Sequence, residues 1–349
     1  MNITHTIYYV IADNDLELCA VRDVGKLMFS NVEHGNNKCI IDILIKTKKS
    51  IIFIHIFNKM HIKELRFKKD NFFYSIQLLN KLISRYNLIE QKFNIDTHKI
   101  LIISGHNCGW YIYGINEHTD KDILYLDNLR KCLEENNIYL DAICFDSCFG
   151  SNMEVIMEFN HVSEYIVASP EYMYFEGICS IDFCKYLSNI KSIKDIENAL
   201  IKLISDLMNR SNEKKEPLSL SLINNRKFKK IIDIIKNINF VYEDFTKKNV
   251  IDKCHIWLKN CEHCDPNECE IFYDLYNTIK DMTKNNKMKN INFAEFSKIF
   301  NDSIYYKQNK YFKGVISNGI DISLSFVDVF LIKKMNYIKT FKRLIAANR

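Results

Sequence analysis

The chain has 349 residues, of which 47% are hydrophobic, so wholesale disorder is excluded and one large core or two ordinary ones are expected. The formal net charge of +5 is too small an excess to indicate binding to nucleic acid. No apolar stretch approaches the roughly 18 residues of a membrane span, and the N-terminus lacks the pattern of a signal peptide. We therefore expect a cytoplasmic or otherwise intracellular protein whose 12 cysteines are mostly reduced thiols.

Predicted strands alternate with predicted helices through the first 190 residues or so. The strands are expected at 6–12, 39–45, 51–57, 101–105, 139–145 and 165–169. The helices are expected at 16–29, 72–86, 124–135 and 152–160. This alternation predicts an α/β fold, with a mostly parallel sheet that is flanked by helices on both faces.

The second half of the chain is predicted to be largely helical. Helices are expected at 193–209, 227–238, 242–258, 271–282, 293–300 and 330–344, with short strands at 218–222 and 321–326. The polar stretch 209–217 is the best candidate for a linker. We predict a catalytic α/β domain over residues 1–210 and a mainly helical region over 211–349, packed on the core and adding short strands.

Two of the predicted strands end on reactive side chains. One apolar run, Leu101–Gly105, leads into His106, and another, Ala142–Phe145, leads into Asp146, Ser147 and Cys148. Sites in open α/β sheets form at the carboxyl ends of the strands, so neighbouring strands would bring the imidazole and the thiol together. A thiol beside a base is the arrangement of a cysteine nucleophile, which predicts a cysteine peptidase.

The neighbours of these two residues suggest further roles. Backbone N–H groups in the histidine loop and at Cys148 would stabilise an oxyanion. The Asp146 carboxylate would line a pocket for a substrate Arg or Lys. The alternative for Asp146 is a turn or capping residue before the next helix.

Several segments together resemble the clostripain family of cysteine peptidases, relatives of the caspases, gingipains and legumains. The resemblance spans nearly the whole chain and is strongest between residues 100 and 180. It is carried by Ala12-Asp13-Asn14-Asp15-Leu16-Glu17, Ser104-Gly105-His106-Asn107-Cys108-Gly109-Trp110, Phe145-Asp146-Ser147-Cys148 with Glu154, and Ala168-Ser169 with Gly177. Weaker similarities lie at 219–221, 273–275 and 319–326.

The resemblance implies a caspase-like sheet, a Cys–His dyad and cleavage after basic residues. By this resemblance His106 takes the position of the general base and Cys148 that of the nucleophile. Asp146 takes the acidic position at the base of the specificity pocket, and Ser169 lies in a segment that forms one pocket wall. The backbone N–H groups of Asn107 and Cys148 would bind the oxyanion.

Three positions depart from the family pattern: Asn107 stands in place of glycine, Gly150 in place of methionine and Ile178 in place of tryptophan. The changes at Asn107 and Gly150 are the main support for the alternative of a catalytically inactive caspase-like binding or scaffold protein, whereas Ile178 would alter the outer pocket wall. The presence of both His106 and Cys148 favours the active peptidase, since a binding module needs neither.

The family often matures by self-cleavage at a basic residue between the two catalytic strands, for which Lys121 is the candidate here. A solvated charged loop is the alternative for Lys121. Substrates are expected to be proteins or peptides with basic residues, and no nucleic acid or membrane partner is expected.

The remaining cysteines and the cofactors give weaker signals. A cluster in the second half could form a zinc site, although its spacing is irregular and accident is the alternative. It contains Cys254, Cys261, Cys264 and Cys269, with His255 and His263 among them. Cys144 is expected in the core, and Cys108 is a weaker nucleophile candidate than Cys148. No cofactor is expected to be required, and calcium is left open because the resemblance to clostripain suggests it.

Overall fold

The protein is described by a computed structural model that covers the chain apart from a set of short gaps and two longer segments. The residues outside the description are 1–2, 36–38, 58–60, 69–74, 108–110, 114–122, 174–176, 181, 188–189, 237–238, 241–271, 285–287, 290, 312–317 and 324–349.

Nine strands form the central sheet, in the spatial order β15-β11-β10-β9-β5-β1-β2-β3-β4. These strands are β1 (Ile3–Ile11), β2 (Cys39–Lys46), β3 (Ser50–Phe57), β4 (His61–Lys68), β5 (Thr97–Ser104), β9 (Leu140–Asp146), β10 (Ser163–Ala168), β11 (Ser219–Asn224) and β15 (Ile304–Gln308). The five central strands, from β10 to β2, are parallel, and each edge adds two strands through antiparallel pairs.

Within the described residues, seven shorter strands lie outside this sheet. They are β6 (His106–Asn107), β7 (Tyr111–Tyr113), β8 (Ile123–Tyr125), β12 (Asn239–Phe240), β13 (Phe272–Asp274), β14 (Met288–Lys289) and β16 (Asp321–Ser323). Strands β6, β7 and β8 form a small sheet that begins directly after β5, and β12 pairs with β14 and β13 with β16. The small β6 sheet matters most for function because it starts at His106.

The described helices flank the central sheet. They are α1 (Glu17–His34), α2 (Ser75–Phe93), α3 (Leu126–Glu135), α4 (Met153–Phe159), α5 (Phe183–Leu187), α6 (Ile193–Lys214), α7 (Asn225–Lys236), α8 (Leu275–Lys284) and α9 (Phe293–Ser303). One hydrophobic core lies between the sheet and α2, α3, α4, α7 and α9, and a second lies between the other face and α1, α5 and α6.

Burial on both faces explains the apolar runs of the central strands. In β5, Leu101 and Ile103 belong to the first core, whereas Ile100 and Ile102 belong to the second, and all four are fully buried. The predicted α/β architecture is therefore confirmed, with each central strand filling two cores at once.

Some predicted elements differ from the structure. The linker expected at 209–217 is wrong, because α6 continues to Lys214 and ends at Lys215 in the left-handed conformation (φ 59°). The helix expected at 271–282 begins only at Leu275, since Phe272–Asp274 is strand β13. The boundary after residue 210 falls inside α6, and the division into two regions stays a prediction.

The edge strands β4 and β15 were not predicted. Leu65 and Phe67 of β4 are 54% and 49% exposed, so this strand lacks the buried face that produces a clear apolar alternation. No helix within the described part of the chain is long and apolar enough to cross a membrane.

Candidate active site

The carboxyl ends of three parallel strands lie side by side. Val10 of β1 pairs with Ser104 of β5, and Ser104 pairs with Asp146 of β9. His106 lies two residues after Ser104, and Cys148 lies two residues after Asp146. The prediction that the two strands are neighbours is thus confirmed, and the loops that carry the imidazole and the thiol are adjacent.

The cysteine loop turns sharply at the end of β9. Phe149 has a φ of 52°, a left-handed conformation that a bulky residue rarely adopts. Its N–H donates to the carbonyl of Glu171 (3.1 Å), and its ring contacts that of Tyr172, with 4.7 Å between centroids. The residue after Cys148 is therefore held in a strained conformation by the loop that follows β10.

Cys148 is half-buried, and the N–H of Met173 donates to its Sγ at 3.3 Å. Five other cysteines of the described residues are buried, whereas Cys19 is exposed on α1. Burial, with a smaller contribution from Asp146, raises the pKa of the Cys144 thiol, so Cys144 is an inert core residue as predicted. Among the described cysteines, Cys148 is the one that follows a central strand at this sheet edge and is not fully buried.

His106 begins the small sheet after a turn that requires glycine. A Cβ at Gly105 would lie 2.7 Å from Cγ2 of Ile112, and Gly105 has a φ of 155°. The Nε2 atom of His106 lies 2.6 Å from Oδ1 of Asp15, with the imidazole 29% exposed. The next residue, Asn107, is buried.

Asn107 links the histidine loop to the cysteine loop. Its Nδ2 donates to Oγ of Ser147 at 3.1 Å, between two residues that are 40 positions apart. The side chain that replaces the family glycine therefore ties the residue beside His106 to the residue before Cys148. This bond restrains the relative movement of the two loops.

Asp146 lies almost buried between the sheet and the loop after β10. The N–H of Ile178 donates to Oδ1 (2.9 Å) and the hydroxyl of Tyr8 donates to Oδ2 (3.4 Å). A Cβ at Gly177 would lie 2.4 Å from Oδ2, so only glycine lets this loop pack directly on the carboxylate.

Burial and the nearby charge of Asp23 raise the pKa of Asp146 to about 7. The hydrogen bonds from Ile178 and Tyr8 and the charge of Lys26 oppose this rise but do not cancel it. Lys26 itself pairs with Asp23, at 3.2 Å from Nζ to Oδ1. Among the described residues, no cation forms an ion pair with Asp146.

The model of the clostripain family, peptidase group C11, matches residues 8–348. The chain belongs to the clostripain family. It is therefore a cysteine peptidase, a hydrolase that uses a thiol to act on peptide substrates.

Solved structures of C11 proteases are similar to this peptidase over nearly its whole length. An inactive zymogen C11 protease from Parabacteroides distasonis shares 15% identity and a TM-score of 0.68, with 97% of each chain covered. A secreted C11 cysteine protease from Bacteroides thetaiotaomicron, iotapain, shares 14% identity and a TM-score of 0.69, with 100% of each chain covered.

A third structure is a secreted C11 cysteine protease from the same species in complex with an irreversible peptide inhibitor. It shares 13% identity and a TM-score of 0.70, over 99% of this chain and 98% of the other. At these identities the likeness shows the fold, which confirms the predicted caspase-like architecture. No curated protein matches the chain.

Ser169 of the clostripain-family chain lies in the loop after β10, behind the cysteine. It is fully buried, and its hydroxyl accepts from the N–H of Glu171 (3.0 Å) and lies 3.1 Å from the hydroxyl of Ser219. Ser169 would thus contribute to a pocket wall by fixing this loop. Ile178 is also fully buried, and its N–H is the group that contacts Asp146.

Several predicted features lie outside the described residues. They are the self-cleavage candidate Lys121, Cys108, Gly109, and the cluster of Cys254, Cys261, Cys264, Cys269, His255 and His263. Within the described ranges, no group of three or more His, Cys, Asp or Glu side chains could hold a metal ion. The described residues thus offer no carboxylate set that fits calcium.

The sequence argument missed Asp15, the partner of His106. A signal was present, because Asp13, Asn14 and Asp15 form a polar turn directly after β1, at the same sheet edge as the other two loops. The contribution of Tyr8 had no such signal, since an interior strand tyrosine is indistinguishable from an ordinary core residue.

Proposed function

We propose that this clostripain-family peptidase cleaves peptide bonds after Arg or Lys with a dyad of Cys148 and His106. The observation that carries the specificity is Asp146, an almost buried carboxylate that forms no ion pair with any of the described residues, two residues before the thiol. A substrate guanidinium or ammonium would supply the missing counter-ion.

In the first half of the reaction, His106 takes the proton of the Cys148 thiol while Sγ attacks the scissile carbonyl carbon and forms a C–S bond. The C–N bond then breaks as His106 gives a proton to the leaving amine. In the second half, His106 takes a proton from water, whose oxygen forms a new C–O bond as the C–S bond breaks. The acid product leaves, and the thiol and imidazole are restored.

The backbone N–H groups of Asn107 and Cys148 would stabilise the oxyanion of each tetrahedral intermediate. Two observations support this assignment. The Asn107 side chain anchors its loop to Ser147, whose peptide bond to Cys148 carries the second N–H, and the bond from the N–H of Phe149 to Glu171 holds the residue after the cysteine. Both features hold the two loops in one arrangement before substrate binds.

The proposal includes no required cofactor and no nucleic acid or membrane partner, and calcium is treated as an activator to be tested. An intracellular location and cleavage at Lys121 remain predictions. Cell fractionation tests the first, and the second fails if an active sample retains only intact chain in a mass spectrum after prolonged incubation.

The test uses purified full-length protein with fluorogenic peptides that end in Arg or Lys, beside a matched peptide that ends in Leu. Cys148→Ala should abolish turnover, whereas Cys19→Ala, at an exposed thiol distant along the chain, should leave it unchanged. Each reaction is run with calcium and with a chelator. Equal turnover of the Leu peptide would refute basic specificity, and turnover that survives Cys148→Ala would refute the nucleophile.

A further inference from the structure

The loop after β1 joins the other two loops at the catalytic edge. Because β1, β5 and β9 are neighbours, the structure brings together Asp15, His106 and Cys148 from three successive positions along the sheet. A carboxylate, an imidazole and a thiol therefore follow three adjacent parallel strands in that spatial order.

The loop that carries Asp15 is fixed at each of its preceding residues. The N–H of Ala12 donates to the carbonyl of Lys46 (2.9 Å), and Nζ of Lys46 lies 3.1 Å from Oδ2 of Asp13, with both charged side chains buried. Asn14 accepts the N–H of Leu16 at 2.9 Å and shapes the entry into α1. Asp15 is thus presented by an anchored turn.

Asp15 contacts His106 directly, with 2.6 Å between Oδ1 and Nε2, a separation typical of a charge-assisted hydrogen bond. The bond joins residues that are 91 positions apart, so it depends on the fold. Asp15 is 74% exposed, and water therefore screens part of its charge.

We propose that Asp15 is a positioning residue that completes a Cys148–His106–Asp15 arrangement; this inference rests on the proposed dyad. By accepting a hydrogen bond from the Nε2–H group, Asp15 fixes the tautomer and the rotation of the ring. Proton exchange with Cys148 and the leaving amine then runs through Nδ1. The carboxylate also stabilises the imidazolium that forms when the thiol gives up its proton.

The expected effect is smaller than for a buried triad carboxylate, whose loss costs about 10⁴-fold in kcat. We expect Asp15→Ala to lower kcat by about 10-fold, because solvent replaces part of the exposed interaction. KM for the basic peptide should stay within about 2-fold, since Asp15 acts through His106. Asp15→Glu should recover part of kcat.

The experiment measures kcat and KM for wild type, Asp15→Ala, Asp15→Glu and the control Glu33→Gln, which changes the charge at the opposite end of α1. Formate added to Asp15→Ala should raise kcat, because the small anion can occupy the exposed position beside His106, whereas it should not affect Glu33→Gln. A thermal melt of each variant separates these effects from misfolding.

Two results would count against the inference in different ways. Cys148-dependent turnover in the wild type, with an unchanged kcat in a folded Asp15→Ala variant, overturns the role of Asp15 alone. A wild type without Cys148-dependent turnover overturns the proposed dyad and this inference together. A rise in KM alone would assign Asp15 to substrate binding and would also overturn it.

Discussion

Two buried carboxylates on the same sheet, Asp42 and Asp146, have opposite electrostatic surroundings. Asp42 of β2 accepts hydrogen bonds from Nε2 of His5 (2.9 Å), Nδ1 of His55 (2.7 Å) and Nε of Arg85 (2.6 Å). Burial alone would raise the pKa of Asp42, but the bonds from His5, His55 and Arg85 outweigh burial and hold it well below its usual range.

Among the described residues, Asp146 receives hydrogen bonds from one N–H and one tyrosine hydroxyl, and burial with the charge of Asp23 raises its pKa to about 7. A carboxylate that is paired with an arginine and accepts hydrogen bonds from two histidines belongs to the structure, as at Asp42. A carboxylate that is buried without a counter-ion costs stability, and it is expected at a site where a ligand supplies the charge. This difference supports the proposal that Asp146 binds the basic side chain of the substrate.

The strongest test of this comparison is Asp146→Asn. We expect kcat/KM for Arg and Lys peptides to fall by about 100- to 1000-fold, because a buried charge-assisted pair with the substrate is lost. The Leu peptide should be much less affected. Steady-state kinetics on all three peptides provide the measurement, and an equal loss for every peptide would contradict a specificity role.

Asp42→Asn should have the complementary effect. The free energy of unfolding is expected to fall by about 3 kcal/mol, because Arg85 and the two histidines lose their common acceptor. The kcat/KM of the folded variant should match wild type. Urea denaturation measures the loss, and Glu64→Gln, which breaks the exposed pair with Arg66, should change stability by less than about 1 kcal/mol.

The two carboxylates should also impose opposite pH dependences on stability. Because the pKa of Asp146 is raised in the folded protein, its contribution to the free energy of unfolding is fully present below the unfolded-state pKa of about 4. That contribution is lost as the pH rises through about 7. Burial and Asp274 raise the pKa of Glu171 to about 8, with the same sign. Asp42 contributes above pH of about 4, and this contribution is lost on acidification.

We therefore expect the free energy of unfolding to decline by roughly 3 kcal/mol or more between about pH 5 and pH 8, since each pH unit over which such a carboxyl stays protonated corresponds to about 1.4 kcal/mol. Denaturation of Asp146→Asn across this range should give a shallower decline. A wild-type stability that rises steadily over the same range would show that Asp146 and Glu171 are not protonated in the folded protein.

Gly177→Ala should disturb the Asp146 carboxylate without removing its charge. The added Cβ would lie 2.4 Å from Oδ2, so the carboxylate or the loop must move, and we expect KM for basic peptides to rise by about 10-fold. Gly25→Ala is the control, because its Cβ meets nothing within 4 Å and the helix should gain about 0.5–1 kcal/mol. An unchanged KM would show that Gly177 has no role in specificity for basic peptides.

The smallest expected effect is that of Tyr8→Phe. Its hydroxyl lies 3.4 Å from Oδ2 of Asp146, which is a long and therefore weak bond. We expect a change in kcat/KM of about 2- to 5-fold for Arg and Lys peptides. A larger loss would mean that Tyr8, in addition to Asp146, determines the electrostatics of the pocket.

The sequence was informative where burial leaves a regular pattern. Leu101 and Ile143 belong to apolar runs that end at polar turns, which identified both strands and the edge where His106 and Cys148 meet. Leu65 on the edge strand β4 is exposed, so its strand carried no such pattern.

Side-chain partners were harder to predict than strands. The contacts of His106 with Asp15 and of Asn107 with Ser147 join residues that are 91 and 40 positions apart, and only the order of strands brings them together. The electrostatic difference between Asp42 and Asp146 likewise depends on which neighbours each strand acquires. The sequence alone therefore gave no indication that the two aspartates, Asp42 and Asp146, have different roles.

The short chain segment between Asp146 and Cys148 also limits the distance between the two groups that an inhibitor of the proposed peptidase would contact. One residue, Ser147, lies between these positions, so their Cα atoms lie at most about 7 Å apart, and strand β9 holds the first of them rigidly. In the proposed peptidase, an inhibitor that reacts with the thiol must have a distance between its electrophilic atom and its cationic group that matches the distance between Cys148 and Asp146. A side chain shortened by one or two methylenes would leave either the charge or the warhead out of reach, so inhibitor potency should report the spacing directly.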